Sequence, residues 1–466
     1  MPATLGELRA SGWRSRPVKD AVRSNAAARI ATGRPVVEGL VGYDSTVLPS
    51  LENALIAGHD IIFLGERGQA KTRLMRGLVG LLDEALPIVA GSEILDDPYH
   101  PVSRYARELV ADKGDECPIE WVGRDQRFGE KLATPDTSIA DLIGEVDPVK
   151  VAEGRYLSDE LTLHYGLVPR TNRGLFAINE LPDLAERIQV GLLNVLEERD
   201  VQIRGYKIRL PLDVMLVASA NPEDYTSRGR IITPLKDRFG AQIRTHYPLD
   251  TPTEVEVIAQ EAAVAAIPGV KLDVPGYMAE VVAAFSQLAR QGPQVNQRSG
   301  VSVRLGVANY ETLAAAALRR ALRLGETEAV PRVSDLPALV SSSAGKIELD
   351  TLDDGGEDDV VSRLYRQAVL GVFRARVDPA DLARAVSELD NGSSVEVSED
   401  LASSGYMEIL AKHPGLGVPA GKLAGSEGAP ALAAAVELVL EGLHLSKRLN
   451  KHTGHGVATY QTRGRQ

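Results

Sequence analysis

Gly65-Glu66-Arg67-Gly68-Gln69-Ala70-Lys71-Thr72 directly follows the apolar run Ile61-Ile62-Phe63-Leu64 and directly precedes a stretch with helical character, Arg73 to Leu82. A strand that feeds a glycine-containing loop opening a helix aims several backbone N–H groups and the positive helix end at one point, which suits a triphosphate. Lys71 is placed to reach the β- and γ-phosphates, and the Thr72 hydroxyl to ligate Mg²⁺. Gly65, Glu66, Arg67, Gly68, Gln69, Ala70, Lys71 and Thr72 are therefore the expected phosphate-binding set. Ala70 departs from the strict pattern, which has a second glycine there. Its methyl group is tolerable at negative φ and costly at positive φ.

Around this loop the chain reads as an ordinary globular protein. Its 466 residues exceed a single core and predict about two to four units. The 52 basic and 64 acidic residues give a net charge of −12, which argues against nonspecific nucleic-acid binding as the main activity, and no direct nucleic-acid partner is expected. Cys117 is the only cysteine, so neither an intrachain disulfide nor a thiolate zinc site is available. No apolar stretch reaches about 18 residues and the N-terminal segment has no apolar signal core, so no membrane insertion and a cytoplasmic address are expected. Residues 1–38 are rich in Arg with Glu7 and Asp20 interspersed, and read as a solvated helical arm.

From Leu40-Val41-Gly42-Tyr43-Asp44 the pattern tightens, with an amphipathic helix predicted near Val47 to Ala57 and then the strand that feeds the loop. Strands and helices alternate to about Pro248, which predicts an α/β fold with a parallel sheet and helices on both faces. The strand candidates are Ile61 to Leu64, Ile88-Val89, Leu175 to Ile178 and Val214 to Ser219. Nucleotides bind at the carboxyl ends of such strands. Asn179-Glu180 follows one run and Asn221-Pro222 another, so a carboxylate and an amide on two strand tips can orient an attacking water and hold a γ-phosphate. Between them lies a helix-spaced stretch, Ile188 to Glu198, and then Val201 to Arg204 and Lys207 to Leu210, which alternate with period two around Gly205-Tyr206 and predict a hairpin.

Together these motifs resemble the AAA+ ATPases of the helix-2-insert clade, in particular MoxR-type ATPases and the ATPase (I) subunit of magnesium chelatase, over about residues 38 to 325. Leu40-Val41-Gly42 is similar to the family's adenine-contacting segment, with Leu40 and Val41 the contacts. Gly65 to Thr72 resembles Walker A, where MoxR-type members often carry Ala before the Lys. Gly174 to Leu181 resembles Walker B, with Glu180 the residue that polarises water. Asn179 replaces the family's Asp beside the Mg²⁺ water shell; an amide keeps one carbonyl oxygen and loses the charge. Residues 199–212 resemble the pre-sensor-1 hairpin, and residues 133–170, from Ala133-Thr134-Pro135-Asp136 to Gly166-Leu167-Val168-Pro169, the second-helix insertion, a mobile loop facing the ring surface or pore. Asn221 matches sensor 1. Arg238, in Pro234-Leu235-Lys236-Asp237-Arg238-Phe239-Gly240, matches the arginine finger, and Arg304, in Ser302-Val303-Arg304-Leu305, matches sensor 2.

The resemblance implies that residues 39–250 are an AAA+ α/β nucleotide-binding domain and 251–377 a helical lid; beyond Asp378 it fades, and residues 378–466 read from their own pattern as a helical C-terminal extension with a loose basic tail from Asn450. Helices are predicted over Thr253 to Ala265, Met278 to Arg290, Arg304 to Leu324, Val360 to Arg376 and Ala431 to Leu449. His452 and His455 lack a third ligand and read as solvated. An arginine finger acts on the neighbouring subunit's nucleotide, so head-to-tail contacts closing into a ring, a hexamer in this family, are implied. The expected ligands are ATP and Mg²⁺, the latter held through Thr72 and Asn179. The expected activity is ATP hydrolysis coupled to remodelling, or metal-insertion-type activation, of a partner with a von Willebrand factor A domain. Two other readings compete. A nucleotide-sensing scaffold with little hydrolysis is motivated by Asn179. A transcription activator that remodels RNA polymerase predicts a Gly-Ala-Phe-Thr-Gly-Ala loop and a helix-turn-helix, and the sequence contains neither.

Overall fold

A computed structural model of the chain describes all residues except 147–161, 198–199, 203–208, 222–229, 265, 297–299, 349–355, 391–392, 455 and 463–466. It divides into two compact units, Met1–His246 and Tyr247–Gln466.

The first unit is built on a five-stranded parallel sheet of β1 (Ile61–Leu64), β2 (Phe128–Leu132), β3 (Gly174–Asn179), β4 (Val214–Ala220) and β5 (Ala241–Arg244). Its spatial order is β5-β1-β4-β3-β2. The register pairs Leu64 with Ala220 and with Arg244, and Ala218 with Ile178, so the loops after β1, β3 and β4 emerge on one edge. Every residue of β4 is buried, as expected of a central parallel strand covered on both faces. Successive side chains of a strand alternate between faces. Ile61, Phe63, Leu175, Ala177, Met215 and Val217 join one core with Val47, Leu51 and Leu55 of α1 (Val47–Ala57). Ile62, Phe176, Ile178, Leu216 and Ala218 join the opposite core with Ile188 and Leu192 of α3 (Glu186–Glu197) and Leu235 of α4 (Thr233–Arg238). The expected α/β architecture, a parallel sheet layered by helices, is what the chain adopts. The loop-opened helix is α2 (Lys71–Gly77), continued as a tighter turn over Leu78–Leu81.

Several sequence expectations are corrected. Ile88-Val89 belongs to a strand, Ala85–Val89, but it pairs antiparallel with Ile119–Gly123 in a separate two-stranded sheet. The place in the main sheet is taken by β2, whose sequence Phe-Gly-Glu-Lys-Leu has no continuous apolar run because it lies on an edge and its residues are only partly covered. The N-terminal arm is helical, over Leu5–Ala10 and Val18–Ala31, but it is not solvated. Leu5 and Leu8 are fully buried, Val18, Val22 and Ala26 enter the α1 core, and Lys19 pairs with Asp60 at 3.0 Å. Apolar residues at helical spacing among the arginines account for this, since one stripe packs while the charges stay outside. The stem of the 133–170 insertion is an antiparallel pair, Gly144–Val146 with Leu163–Tyr165. The 199–212 hairpin is seen as Asp200–Gln202 paired with Arg209–Pro211, and its predicted turn at Gly205-Tyr206 lies outside the described residues.

The second unit is mainly helical, with Thr251–Glu261, Gly276–Gln291, α5 (Val303–Leu324), Gly356–Arg376 and Ala429–Leu445 as its longest helices. The last of these is buried along most of its length and carries Glu437, which accepts from the Ser334 backbone N–H at 2.7 Å and from the Tyr406 hydroxyl. The segment from Asn450 is not a loose tail. Asn450–Gly454 and Val457–Gln461 form an antiparallel sheet with Ser394–Ser398, tied down by buried Tyr460 and by Val395 and Val397. His452 is exposed on that sheet, and His455 lies outside the described residues. Among the described residues no group of three or more His, Cys, Asp or Glu could hold a metal, and no single helix is long and apolar enough to cross a membrane.

Candidate nucleotide site

The site is assembled on the carboxyl edge of the sheet by three neighbouring strand tips. Gly65 closes β1, its N–H donating to Ala220 O at 3.1 Å. A Cβ on Gly65 would lie 2.0 Å from Thr245 Oγ1 and 2.2 Å from Gln69 Oε1, so no side chain fits there. Gln69 is buried and acts as an internal strut: its Oε1 accepts from the Glu66 N–H at 3.0 Å and from Thr245 Oγ1 at 2.9 Å. Tyr43 braces the loop from the other side, its hydroxyl donating towards Gln69 O and His246 O, each at 2.9 Å, and burial pushes its pKa well above the usual phenol value. Arg67 is exposed, and Glu66, Gly68 and Ala70 are partly exposed at the mouth of the loop.

Ala70 decides a question the sequence left open. Its φ is +53° and its ψ 16°, in the left-handed region, where its carbonyl accepts the first helical bond from Leu74 N–H at 2.9 Å. The costly alternative therefore holds, about 1–2 kcal/mol of backbone strain relative to a right-handed residue. Glu180 is left-handed as well, at φ +57° and ψ +49°. Of the five non-glycine residues with positive φ among those described, these two sit on the Gly65–Thr72 loop and on the β3 tip. Strained backbone of this kind persists where surrounding structure over-determines it and concentrates at functional sites.

Two hydrogen-bonded chains join the tips. Lys71, 6 % exposed, donates through Nζ to Gly65 O at 2.5 Å, to Glu66 O at 2.7 Å and to Asn221 Oδ1 at 2.6 Å. Asn221 Nδ2 in turn donates to Glu180 Oε2 at 3.1 Å. Asn221 thus orients both the loop cation and the carboxylate. In the second chain Asn179 Nδ2 donates to Thr72 Oγ1 at 3.3 Å, while Ser219 Oγ donates to Asn179 Oδ1 and accepts from the Glu180 N–H at 3.1 Å. Asn179 therefore turns its amide nitrogen towards Thr72 and its carbonyl towards β4. A carboxylate in that position would offer Thr72 an acceptor and a negative charge; the amide offers a donor.

The structure brings Lys71, Thr72, Asn179, Glu180 and Asn221 together. Leu40 packs against the α1 core, Val41 is partly exposed beside it, and Gly42 takes φ +79°, which turns the chain towards Tyr43. Arg238 is the last residue of α4 and is exposed on the turn into β5. Arg304 belongs to the second unit, exposed in the first turn of α5, whose N-cap Ser302 Oγ accepts its N–H at 3.2 Å. Sequence reasoning missed Ser219, Thr245 and Tyr43 as positioning groups. Ser219 carried a usable signal, a lone hydroxyl in an otherwise apolar central strand, where a buried polar atom must find partners. Thr245 and Tyr43 carried none, because their contacts span long sequence separations.

Residues 153–237 match the family model of the sigma-54 interaction domain, an AAA+ module. That span includes Asn179, Glu180 and Asn221 and ends beside Arg238. Among solved structures, the chain is similar to a complex of the magnesium chelatase subunits BchI and BchD, at 23% identity over 68% of this chain and 97% of that one, with a TM-score of 0.35. It is also similar to NtrX from Brucella abortus in complex with ATP, at 16% identity over 76% of this chain and 67% of that one, with a TM-score of 0.42. No curated protein matches. The resemblance to AAA+ ATPases read from the motifs is thus met by a family model over residues 153–237.

Proposed function

We propose that this chain is a ring-forming ATP hydrolase of MoxR or magnesium chelatase I type that remodels or activates a partner protein. The observation that carries the reading is the Lys71–Asn221–Glu180 chain, which couples a phosphate-binding cation to the carboxylate of a candidate general base through one amide. In this reading the β- and γ-phosphates replace the Gly65 and Glu66 carbonyls as acceptors for Lys71, and the loop N–H groups and the α2 amino end hold the remaining charge. Glu180 orients the attacking water, and Asn221 keeps its carboxylate fixed. The Lys71 ammonium, held against the loop carbonyls, and the Thr72 hydroxyl at the start of α2 fit a nucleotide with Mg²⁺. When bound, the ion neutralises charge on the phosphate oxygens. Thr72 would hold it, with Asn179 beside it.

Arg238 is exposed, and an exposed arginine at a helix end suits insertion into the site of a neighbouring subunit, so the active ring is a homo-oligomer, a hexamer by the family resemblance. A von Willebrand factor A domain protein is the partner class that resemblance implies, and a cytoplasmic location accords with it. The resemblance assigns the sensor 2 role to Arg304. Arg238→Ala should preserve ATP binding while lowering turnover on the order of 10³-fold. Glu180→Gln should do the same, because Gln still accepts from Asn221 but cannot serve as the base. Mixed rings of the two variants should regain activity, since each damages a different half of a shared site. Full turnover by Arg238→Ala, or no recovery on mixing, would remove the ring reading.

One observation favours a second reading, a nucleotide sensor with little hydrolysis. The Asn179 amide presents a donor to Thr72 where a carboxylate would support the metal. Negligible Glu180-dependent ATPase activity with partner and abundant Mg²⁺ would select it.

A further inference from the structure

Ser219 is the one hydroxyl residue in the central strand β4, Val-Met-Leu-Val-Ala-Ser-Ala, and it is fully buried. The register that pairs Ala218 with Ile178 sets it beside the β3 tip. There its Oγ serves both residues of that tip, donating to Asn179 Oδ1 and accepting from the Glu180 N–H at 3.1 Å. Glu180 is the residue held left-handed at φ +57°. One hydroxyl therefore supports the strained turn at Glu180 and sets the way the neighbouring amide faces.

The Asn179 amide lies between two hydroxyls, Ser219 Oγ at its carbonyl and Thr72 Oγ1 at its nitrogen, the latter at 3.3 Å. A hydroxyl can donate or accept, so half a turn about the Cβ–Cγ bond of Asn179 leaves the amide paired at both ends. The two orientations are not equal in energy. In the one observed, Ser219 gives its proton to Asn179 and takes the Glu180 N–H. After the half turn both of these partners are donors, and the Ser219 proton loses its acceptor. Ser219 thus biases the amide nitrogen towards Thr72. That bias opposes a cation at Thr72: a hydroxyl that ligates a metal turns a lone pair to the ion and needs an acceptor for its proton, whereas the amide nitrogen brings a further donor.

We propose that Ser219 is a positioning residue that holds the empty site in a state of low Mg²⁺ affinity, and that loading of the metal with its nucleotide turns the Asn179 amide over, so that its carbonyl accepts from Thr72. This role rests on the nucleotide reading above and adds regulation to it. The amide is a two-position element whose resting position Ser219 selects, whereas a carboxylate, with two equivalent oxygens, has no such choice. Removing the Ser219 hydroxyl releases the bias and raises metal affinity. A gain of affinity on loss of a buried hydrogen bond is not what loosened packing produces.

The test is calorimetric binding of the β,γ-imido analogue of ATP to the full-length chain at a series of Mg²⁺ concentrations, a readout that involves no turnover. Ser219→Ala should lower the Mg²⁺ concentration for half-maximal binding at least about threefold, the scale of one hydrogen bond released. In the Asn179→Asp background the same substitution should leave that midpoint where it was, because a carboxylate has no orientation to bias. Ser219→Cys, of similar volume and with only a weak donor, carries the same expectation where Ser219→Ala does not fold. A midpoint unmoved or raised in the folded variant overturns the role of Ser219 and leaves the nucleotide reading standing, and so does an equal fall in the Asn179→Asp background. No binding of the analogue by the unaltered chain at any Mg²⁺ concentration removes the nucleotide reading, and the role of Ser219 with it.

Discussion

The two edges of the parallel sheet each carry a buried cation beside a strained backbone, yet they are built in opposite ways. At the carboxyl edge, Lys71 meets Gly65 and Glu66 within its own loop and reaches Asn221 across the sheet. At the amino edge, Arg173, left-handed at φ +61° just before β3, is held by Pro87, Asp97, Asp213 and Arg127, from four distant segments, and keeps one donor unsatisfied. A local loop can be recognised as a motif because its chemistry is contiguous. A cluster gathered from the whole chain leaves no such trace. The energetic roles differ as well: Lys71 is held mostly by neutral carbonyl and amide oxygens that a ligand can replace, whereas Arg173 stands against a buried carboxylate that cannot leave.

The sharpest contrast is Lys71→Ala against Arg173→Met. Lys71→Ala should weaken ATP binding by at least about 100-fold, since it deletes charge-assisted bonds each worth about 1.5–3 kcal/mol, and should cost only about 1 kcal/mol of stability, since water at the partly exposed mouth of the loop can replace it. An ATP titration and a urea melt of the same variant read the two effects, and unaltered ATP affinity would break the assignment of the loop. Arg173→Met should do the reverse. It removes the cation beside the buried Asp97 and leaves the Pro87 carbonyl without its donor, and should lower stability by about 3 kcal/mol with ATP affinity retained. A melt indistinguishable from the parent would show that the amino-edge charge is not structural.

The smallest expected effect is at Asn179. Asn179→Asp turns an acceptor and a charge towards Thr72, so the Mg²⁺ concentration for half-maximal ATPase should fall several-fold. A Mg²⁺ titration of both proteins tests this. An unshifted midpoint would mean that the amide already serves the metal as well as a carboxylate, and turnover appearing only in the variant would favour the sensor reading.

By itself the sequence determined the strand–loop–helix of residues 61–77, the Asn179-Glu180 and Asn221 strand tips, the α/β layering and most of the long helices, because each is a local pattern: a motif, a short apolar run, or apolar residues at helical spacing. Only the tertiary structure decided which strands share the sheet. Phe128–Leu132 was invisible because an edge strand needs little apolar sequence, and Ile88-Val89 misled because an apolar run does not name its partner. The tertiary structure also set φ at Ala70 and Glu180, turned the Asn179 amide towards Thr72, and drew the arginine-rich arm onto the core through Val18, Val22 and Ala26. Those outcomes depend on contacts between residues far apart in the chain, whose free energy exists only once the sheet has brought them together.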